Sequence, residues 1–522
     1  MLTMGTCPDC GGTRLNPKVL TCKIEGINIA EACAMPISRL NAWIRDLADP
    51  LAVDLKAAIG ARLTALEEIG LGYLSLDRPV GTLSGGEAQR CKIAKYINSS
   101  LADVLYILDE PSVGLHNRDI ERMKRSVQRL RDAGNTVLLV EHHPEMIRIA
   151  DHVVDLGPGP GIDGGRIVFE GSYDALLRSD TATGSLLGAP MPFKEHPRWP
   201  IRSAMTDDVI PGSTSDVIPG LTGNLFHLEN ATLHNLKGIS IDLPLGVFGV
   251  VAGVAGSGKS SLMECFRRAY PNPDEVVYIS QENIGVSLRS TPATYMEVAG
   301  DIRKAFAKAH KMKEEYFTFN GKGACPVCGG KGVIVSEMAF MDAIETTCEA
   351  CGGLRYAPEA LAYTVTGATG ETLNIAQVMD LSVRLASAFF QGTVIEQKLR
   401  PLMDVGLKYL HLNQALSTLS GGELQRLKLA SYLGVEGKIF IIDEPTDGLH
   451  TKDIRHIIRL FDALVDRGNP VWLIEHNLDV IRSADWLIEL GPGAGEDGGR
   501  VLYMGTPEGV MTCPESVTKE YL

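Results

Sequence analysis

An internal duplication constrains this chain more than any other feature. Leu83-Ser-Gly-Gly-Glu87-Ala-Gln-Arg90 recurs as Leu419-Ser-Gly-Gly-Glu423-Leu-Gln-Arg426. Leu105-Tyr-Ile-Leu-Asp109-Glu110-Pro recurs as Ile439-Phe-Ile-Ile-Asp443-Glu444-Pro, and Glu141-His142 as Glu475-His476. Gly157–Arg166 returns as Gly491–Arg500. The matches keep their order, so two homologous halves are present. Within each half, apolar strands such as Val104–Leu108 and Thr136–Val140 alternate with amphipathic helices such as Asn117–Asp132. That alternation implies an α/β fold built on a parallel or mixed sheet.

The halves are unequal. Only the second carries Gly253-Val-Ala-Gly256-Ser257-Gly258-Lys259-Ser260-Ser261, which fits G-x-x-x-x-G-K-[ST]. The apolar run Val247–Ala252 reads as a buried strand before it, and Ser261–Tyr270 as a helix after it. In such a loop the glycines let successive backbone N–H groups, Ser257 and Ser261 included, curl around phosphates, and the helix N-terminus adds positive dipole. Lys259 would neutralise the β- and γ-phosphates and Ser260 would hold Mg²⁺, so a nucleoside triphosphate is implied. The first half begins at a Cys7/Cys10 pair, with nothing equivalent to Gly253–Thr347.

Asp443-Glu444 closes an apolar strand, Ile439–Ile442. A carboxylate pair there suits Mg²⁺ (Asp443) and general-base work on water (Glu444). Ser-Gly-Gly at a helix start, in Ser84-Gly85-Gly86 and again in Ser420-Gly421-Gly422, offers a hydroxyl and bare N–H groups to a phosphate. The plainer reading of those residues is an N-cap followed by glycines.

Six of eleven cysteines lie in C-x-x-C pairs. Cys325-x₂-Cys328-x₁₉-Cys348-x₂-Cys351 has the spacing of a four-thiolate, zinc-ribbon site, closed and therefore structural. The alternation Val333–Met341 between the pairs reads as a β-hairpin. Cys7/Cys10 repeats only the second pair, and the preferred reading is no stable zinc there. Arg303, Lys304, Lys308, Lys311, Lys313 and Lys322 form a basic run before the module. It reads either as a solvated helix face or as a contact to a phosphate backbone.

These motifs together resemble the ATP-binding-cassette (ABC) ATPases, and within them the UvrA family of the bacterial ABC excinuclease. Phe317-Thr-Phe-Asn320, Arg289–Tyr295, Val405-Gly-Leu-Lys-Tyr409, Asp443–His450 and Glu475–Ile481 carry the family match, with Val80–Glu87, Leu108–Asp119 and Gly157–Gly165 in the first half. The resemblance implies tandem ABC heads face to face, the first incomplete, with a four-cysteine zinc module inserted in the second. It implies that Gln281 senses Mg²⁺ and the γ-phosphate, that His476 is the switch histidine, and that the signature of one half serves the nucleotide of the other. Lys259, Ser260, Gln281, Asp443, Glu444 and His476 should then work with Ser84, Gly85 and Gly86 as one ATP site per chain. It further implies damaged double-stranded DNA as ligand, homodimerisation, and delivery of DNA to the B component of the excinuclease in nucleotide excision repair. The short spacing from Lys259 to Gln281 looks more like self-resistance paralogues acting against DNA-binding drugs. That reading stays as an alternative, as does an inactive gene fragment.

The expected domains are a remnant of the first insertion (1–80), the end of the first ATPase half (81–171), a Pro/Ser/Gly-rich linker (172–223) and the second half (224–522), with its insertion at about 300–415. No stretch has the roughly 18 unbroken apolar residues of a membrane span, and no export signal opens the chain. Paired cysteines suit a reducing cytoplasm. A net charge of −14 argues against nucleic-acid binding by the whole surface, but not by a local groove.

Overall fold

The computed structural model describes residues 7–83, 85–97, 102–159, 164–187, 189, 191–195, 225–280, 290–338 and 341–522. The second half is organised around strand Phe248–Gly253, every residue of which is buried. It lies between Val471–Ile474 and Trp486–Gly491 in a six-stranded sheet, and Ile439–Asp443, Val276–Ile279 and Arg500–Gly505 complete that sheet. All neighbouring pairs are parallel except the edge pair Trp486–Gly491/Arg500–Gly505. Buried on both faces, these strands are continuous apolar runs and not alternating ones.

One face packs under helix Lys259–Ala269 and the antiparallel pair Leu225–Ala231/Ile239–Pro244, bringing Leu262, Met263 and Phe266 onto Ile441, Trp472 and Ile474. Gly249 is small because a Cβ there would lie 2.6 Å from the Trp472 indole. The other face packs under helix Thr451–Asp466 and the insertion, with Phe461 against Phe248. Asp485, fully buried, accepts from the Phe248 N–H at 2.8 Å and meets Lys194 at 2.7 Å. Lys194 also pairs with Asp462 at 2.8 Å. The stretch that follows the first half is thereby strapped onto the second. The stretch read as linker carries two short helices, Tyr173–Leu176 and Ala182–Leu187, before this strap; its remainder, from 196 through 223, lies outside the described residues.

The first half packs helices Ile37–Asp46, Val53–Glu68, Gly85–Ile97 and Asn117–Asp132 around a core of its own, with Leu40, Leu63, Ile93 and Met123 at its centre. Helices Ile37–Asp46 and Val53–Glu68 are separated at Pro50, because the residue before a proline is pushed out of the α region. Asp49 caps the restart, accepting from the Leu51 N–H at 2.8 Å. Strands Leu105–Asp109 and Thr136–Val140 pair in parallel, and Val153–Gly157 pairs antiparallel with Arg166–Gly171, as two separate ribbons.

The halves meet face to face. The His116 Nε2 lies 3.4 Å from Thr518 Oγ1 and its ring stands edge-on to Tyr521. Asn117 donates to the His476 carbonyl at 3.4 Å, and Thr183 is hydrogen-bonded to His450 at 3.0 Å. Burial, then the nearby Lys259 and His476 charges, hold the His116 imidazole down to about 3 from its usual 6.5; burial brings His143 to about 3 as well. Both are neutral in the fold and take up a proton on unfolding below about pH 6.5, so stability is lost as pH falls through that value. The melting temperature should therefore drop between pH 7 and pH 5. His116→Asn, which keeps an N-cap acceptor for Arg118, should flatten part of that drop in calorimetry.

A candidate nucleotide site between the halves

The phosphate loop turns from the buried strand into helix Lys259–Ala269 through positive φ values of 137° at Gly253, 75° at Gly256 and 106° at Gly258. Bulk is excluded as well as permitted: a Cβ on Gly253 would lie 2.1 Å from the Leu490 carbonyl oxygen. The duplicated Gly491–Arg500 loop braces the turn. Gly495 donates to the Gly256 carbonyl at 3.0 Å, Gly499 to the Ser257 carbonyl at 2.9 Å, and the Asn235 side chain to the Gly256 carbonyl at 3.0 Å. His234 is hydrogen-bonded to Ser261 Oγ at 3.1 Å.

Lys259 curls its ammonium onto the Gly253 and Val254 carbonyls, at 2.8 and 3.1 Å. Burial lowers its pKa, and Glu444 and Asp443 oppose that shift, so the cation faces both carboxylates. Asp443 stands at the end of its strand, hydrogen-bonded by Ser260. Burial, then Glu444, pushes its carboxyl up to about 7, against the pull of Lys259. The two residues read as magnesium ligands are thus in contact. Their oxygens form a hard, partly charged donor set of the kind magnesium takes.

Glu444 adopts φ 49°, an unusual backbone for a non-glycine residue, and brings Oε1 to 3.7 Å from His476 Nδ1. The orienting group is Glu475, to which motif reading assigned no role although it recurs as Glu141. Fully buried, it accepts from the Thr446 N–H at 3.1 Å, from the Thr446 hydroxyl, and from the His476 and Asn477 N–H groups at 2.8 and 3.0 Å. It pins the loop that carries the histidine. The first half repeats the device. Glu141 accepts from Ser112, His142 and His143, and Glu110 (φ 44°) lies 3.6 Å from His142.

First-half residues complete the surroundings. The Tyr73 ring lies 3.3 Å from where a Gly256 Cβ would sit, and its hydroxyl donates to Glu87 at 2.5 Å. Tyr73 therefore links the phosphate loop to the start of helix Gly85–Ile97, whose first residues are Gly85 and Gly86. Tyr409 and Glu423 are the second-half counterparts, at 2.6 Å. Gly114 approaches Glu444, and Gly448 approaches Glu110. Ser420 caps its helix through a reciprocal box with Glu423. Ser84 and Gln281 lie outside the described residues.

The inserted module of the second half holds the paired cysteines. Cys325, Cys328, Cys348 and Cys351 are buried with their sulfurs all within 4.8 Å of one another. Cys328 and Cys351 lie 3.8 Å apart, close to the roughly 3.8 Å edge of a tetrahedron with 2.3 Å zinc–sulfur bonds. The donor set therefore fits zinc. Gly330 is obligatory in its knuckle, since a Cβ would meet the Phe319 carbonyl. Strands Val333–Met338 and Met341–Thr347 form the hairpin. Cys7 is exposed, in a turn like that of Cys348–Cys351. Of the basic run, Lys304 and Lys322 are answered by Asp301 and Glu315, while Lys308, Lys311 and Lys313 are exposed.

A phosphate loop, a strand-end carboxylate pair, a buried Glu before a histidine and a duplicated Ser-Gly-Gly helix start define an ATP-binding-cassette protein. Residues 236–447 match the family described as ABC transporter. The UvrABC system proteins A of Thermus thermophilus and Aquifex aeolicus are each 41% identical over 98% and 99% of this chain, which spans 55% and 57% of their lengths. The crystal structure of UvrA2 from Deinococcus radiodurans is 35% identical, with a TM-score of 0.86 over 99% of this chain and 66% of that one. The chain belongs to the UvrA family of ABC ATPases.

Glu475→Ala should strand four donors and cost about 3 kcal/mol in urea unfolding, with Glu475→Gln intermediate. Lys259→Ala should abolish nucleotide binding measured by equilibrium dialysis while leaving the fold intact.

Proposed function

We propose that this chain binds and hydrolyses ATP at a site shared by its two halves and uses that cycle to grip damaged double-stranded DNA in nucleotide excision repair. The observation that carries the reading is the convergence of Lys259, Ser260, Asp443, Glu444 and His476 beside Tyr73, Gly114 and Asn117 of the other half. The names and identities of the relatives support the repair reading over drug resistance.

Lys259 exchanges its loop carbonyls for phosphate oxygens, helped by the N–H groups of Gly256–Ser261. Ser260 and Asp443 would hold the metal, and the family resemblance assigns Gln281 to sensing it. Magnesium, when bound, offsets charge on the β- and γ-phosphates. Glu444 accepts the proton of the attacking water. His476, fixed through Glu475, stabilises the γ-phosphoryl group. Ser84, Gly85 and Gly86 close the opposite side. Because Glu444 abuts Gly114, the base is aligned only when the halves are together, which couples hydrolysis to closure.

In this reading zinc on Cys325, Cys328, Cys348 and Cys351 is structural and sets the hairpin that meets DNA, with Lys308 and Lys311 contacting phosphates beside it. Homodimerisation, transfer of DNA to the B component of the excinuclease and a cytoplasmic location follow the family. No helix among the described residues is long and apolar enough to cross a membrane.

DNA-stimulated ATPase on damaged against undamaged duplexes tests the proposal. Glu444→Gln should cut turnover by about 100-fold or more with nucleotide binding kept. Lys308→Glu/Lys311→Glu should weaken duplex binding and shallow its salt dependence by about two phosphate contacts. An unchanged salt slope would return those lysines to a solvated face.

A further inference from the structure

Glu489 is a fully buried carboxylate on the strand beside Phe248–Gly253, in register with Ala252. Burying a carboxylate is costly unless hydrogen bonds satisfy it. One short segment supplies them. Glu489 Oε1 accepts from the Val517 N–H at 3.0 Å, from the Thr518 N–H at 2.7 Å and from the Thr518 hydroxyl at 2.7 Å. Thr518 in turn meets His116 of the first half, with 3.4 Å between its hydroxyl and Nε2, and the Tyr521 ring stands edge-on to the imidazole. Glu489, Thr518 and His116 are each at most 2% exposed. The bond directions follow from the neutral ring. His116 Nδ1 accepts from the Arg118 N–H at 3.2 Å, so Nε2 carries the ring hydrogen and donates to Thr518, whose hydroxyl donates to Glu489.

The repeat carries a second, independent sign. Thr181-Ala182-Thr183 and Leu186-Leu187 return as Ser516-Val517-Thr518 and Tyr521-Leu522. Thr183 is hydrogen-bonded to His450, the twin of His116, at 3.0 Å. Each half thus presents a threonine, beyond its antiparallel edge strand, to the matching histidine of the opposite half. The anchors are unequal, because Asp155, the twin of Glu489, is one methylene shorter and half-buried. What His116 holds is the loop that reaches the opposite site. His116 is the N-cap of helix Asn117–Asp132. Just before it, a Cβ on Gly114 would sit 3.4 Å from Glu444 Oε2; just after it, Asn117 donates to the His476 carbonyl at 3.4 Å. The loop that contacts Glu444 is therefore gripped, through Thr518 and Glu489, by the half to which Glu444 itself belongs.

We propose that Glu489, Thr518 and His116 form a clasp between the halves that sets Gly114–Asn117 against Glu444 and the His476 loop, which makes Thr518 and Glu489 positioning residues for ATP hydrolysis. The proposal rests on the nucleotide reading of that site and not on the DNA reading. The carboxylate stands on the strand next to the one that delivers the phosphate loop, so the clasp ties the first-half loop to the frame that carries Lys259. A satisfied buried network of this kind fixes one geometry, and a displacement of about 1 Å at a reacting centre can cost about 100-fold in rate. Thr518 acts on turnover and not on nucleotide affinity, because its hydroxyl bonds Glu489 and His116, whereas Gly495, Gly499 and Asn235 brace the phosphate loop.

Thr518→Val keeps the side-chain volume and removes the hydroxyl. In the full chain it should lower kcat about tenfold, with ATP affinity from equilibrium dialysis held within about twofold. Thr518→Ser, which restores the hydroxyl, should recover kcat. Thr183→Val breaks the matching bond beside Glu110 and should lower the melting temperature by a similar few degrees while leaving kcat within about twofold. Amide hydrogen exchange over residues 112–118 should quicken at least about fivefold in Thr518→Val and hold its rate in Thr183→Val. Unchanged kcat in Thr518→Val, an equal kcat loss in both valine variants, or a kcat loss matched by weaker ATP binding would make the bond a structural one and overturn the proposal. If the unsubstituted chain hydrolyses no ATP, the nucleotide reading fails by itself. The exchange measurement then still decides the clasp, and exchange over 112–118 that is the same with and without the Thr518 hydroxyl overturns it.

Discussion

The burial of strand Phe248–Gly253 is the constraint on which the second half depends. Its two faces join separate apolar cores, its edges pair with strands on both sides, and its end delivers the phosphate loop. Asp485 ties the beginning of the strand to Lys194 of the incoming strap, and Leu490 crowds the end so closely that only glycine fits at 253. A charge as costly to bury as the Lys259 ammonium is held there by two carbonyls and two carboxylates, all on rigid elements. Among the described residues of the first half the strands form two ribbons, and Leu105, Ile107, Leu138, Val140, Val154 and Leu156 are exposed.

That asymmetry organises the chemistry. The second half supplies the phosphate loop, the strand-end carboxylate pair and the histidine loop. The first half supplies Tyr73, Gly114 and Asn117, which touch the phosphate loop, Glu444 and the histidine loop respectively. The contacts are reciprocal, because Gly448 meets Glu110 as Gly114 meets Glu444. Each acid is therefore positioned by its own strand and checked by the opposite half.

Much of this was legible from residues alone. The phosphate loop, the carboxylate pairs, both Ser-Gly-Gly helix starts, the four-cysteine spacing and the hairpin follow from short-range rules, in which a residue type at a given spacing has few physical alternatives. The strands and helices flanking them came within a residue or two. The misses have a common cause. Glu475 looked like a neighbour of the histidine, yet its burial and its four hydrogen bonds make it the anchor of that loop. Tyr73 had no motif value until its ring was seen against Gly256. Asn235, outside the loop in sequence, braces it through Gly256. The basic run looked uniform, but Asp301 and Glu315 answer part of it and leave Lys308 and Lys311 exposed.

The sequence by itself determined that there are two related halves, that the second carries a phosphate loop, and that four cysteines are spaced to come together. These are properties of local spacing and of repetition, which a linear string preserves. Only the tertiary structure decided which residues of one half reach the other, which acids are buried, and that six apolar residues of the first half face outward where their twins face a core. Those outcomes depend on contacts between segments hundreds of residues apart, and on whether a covering element is present. Identical hydrophobic patterns give no sign of that, because Leu105 and Ile439 read alike until something packs on one and not on the other.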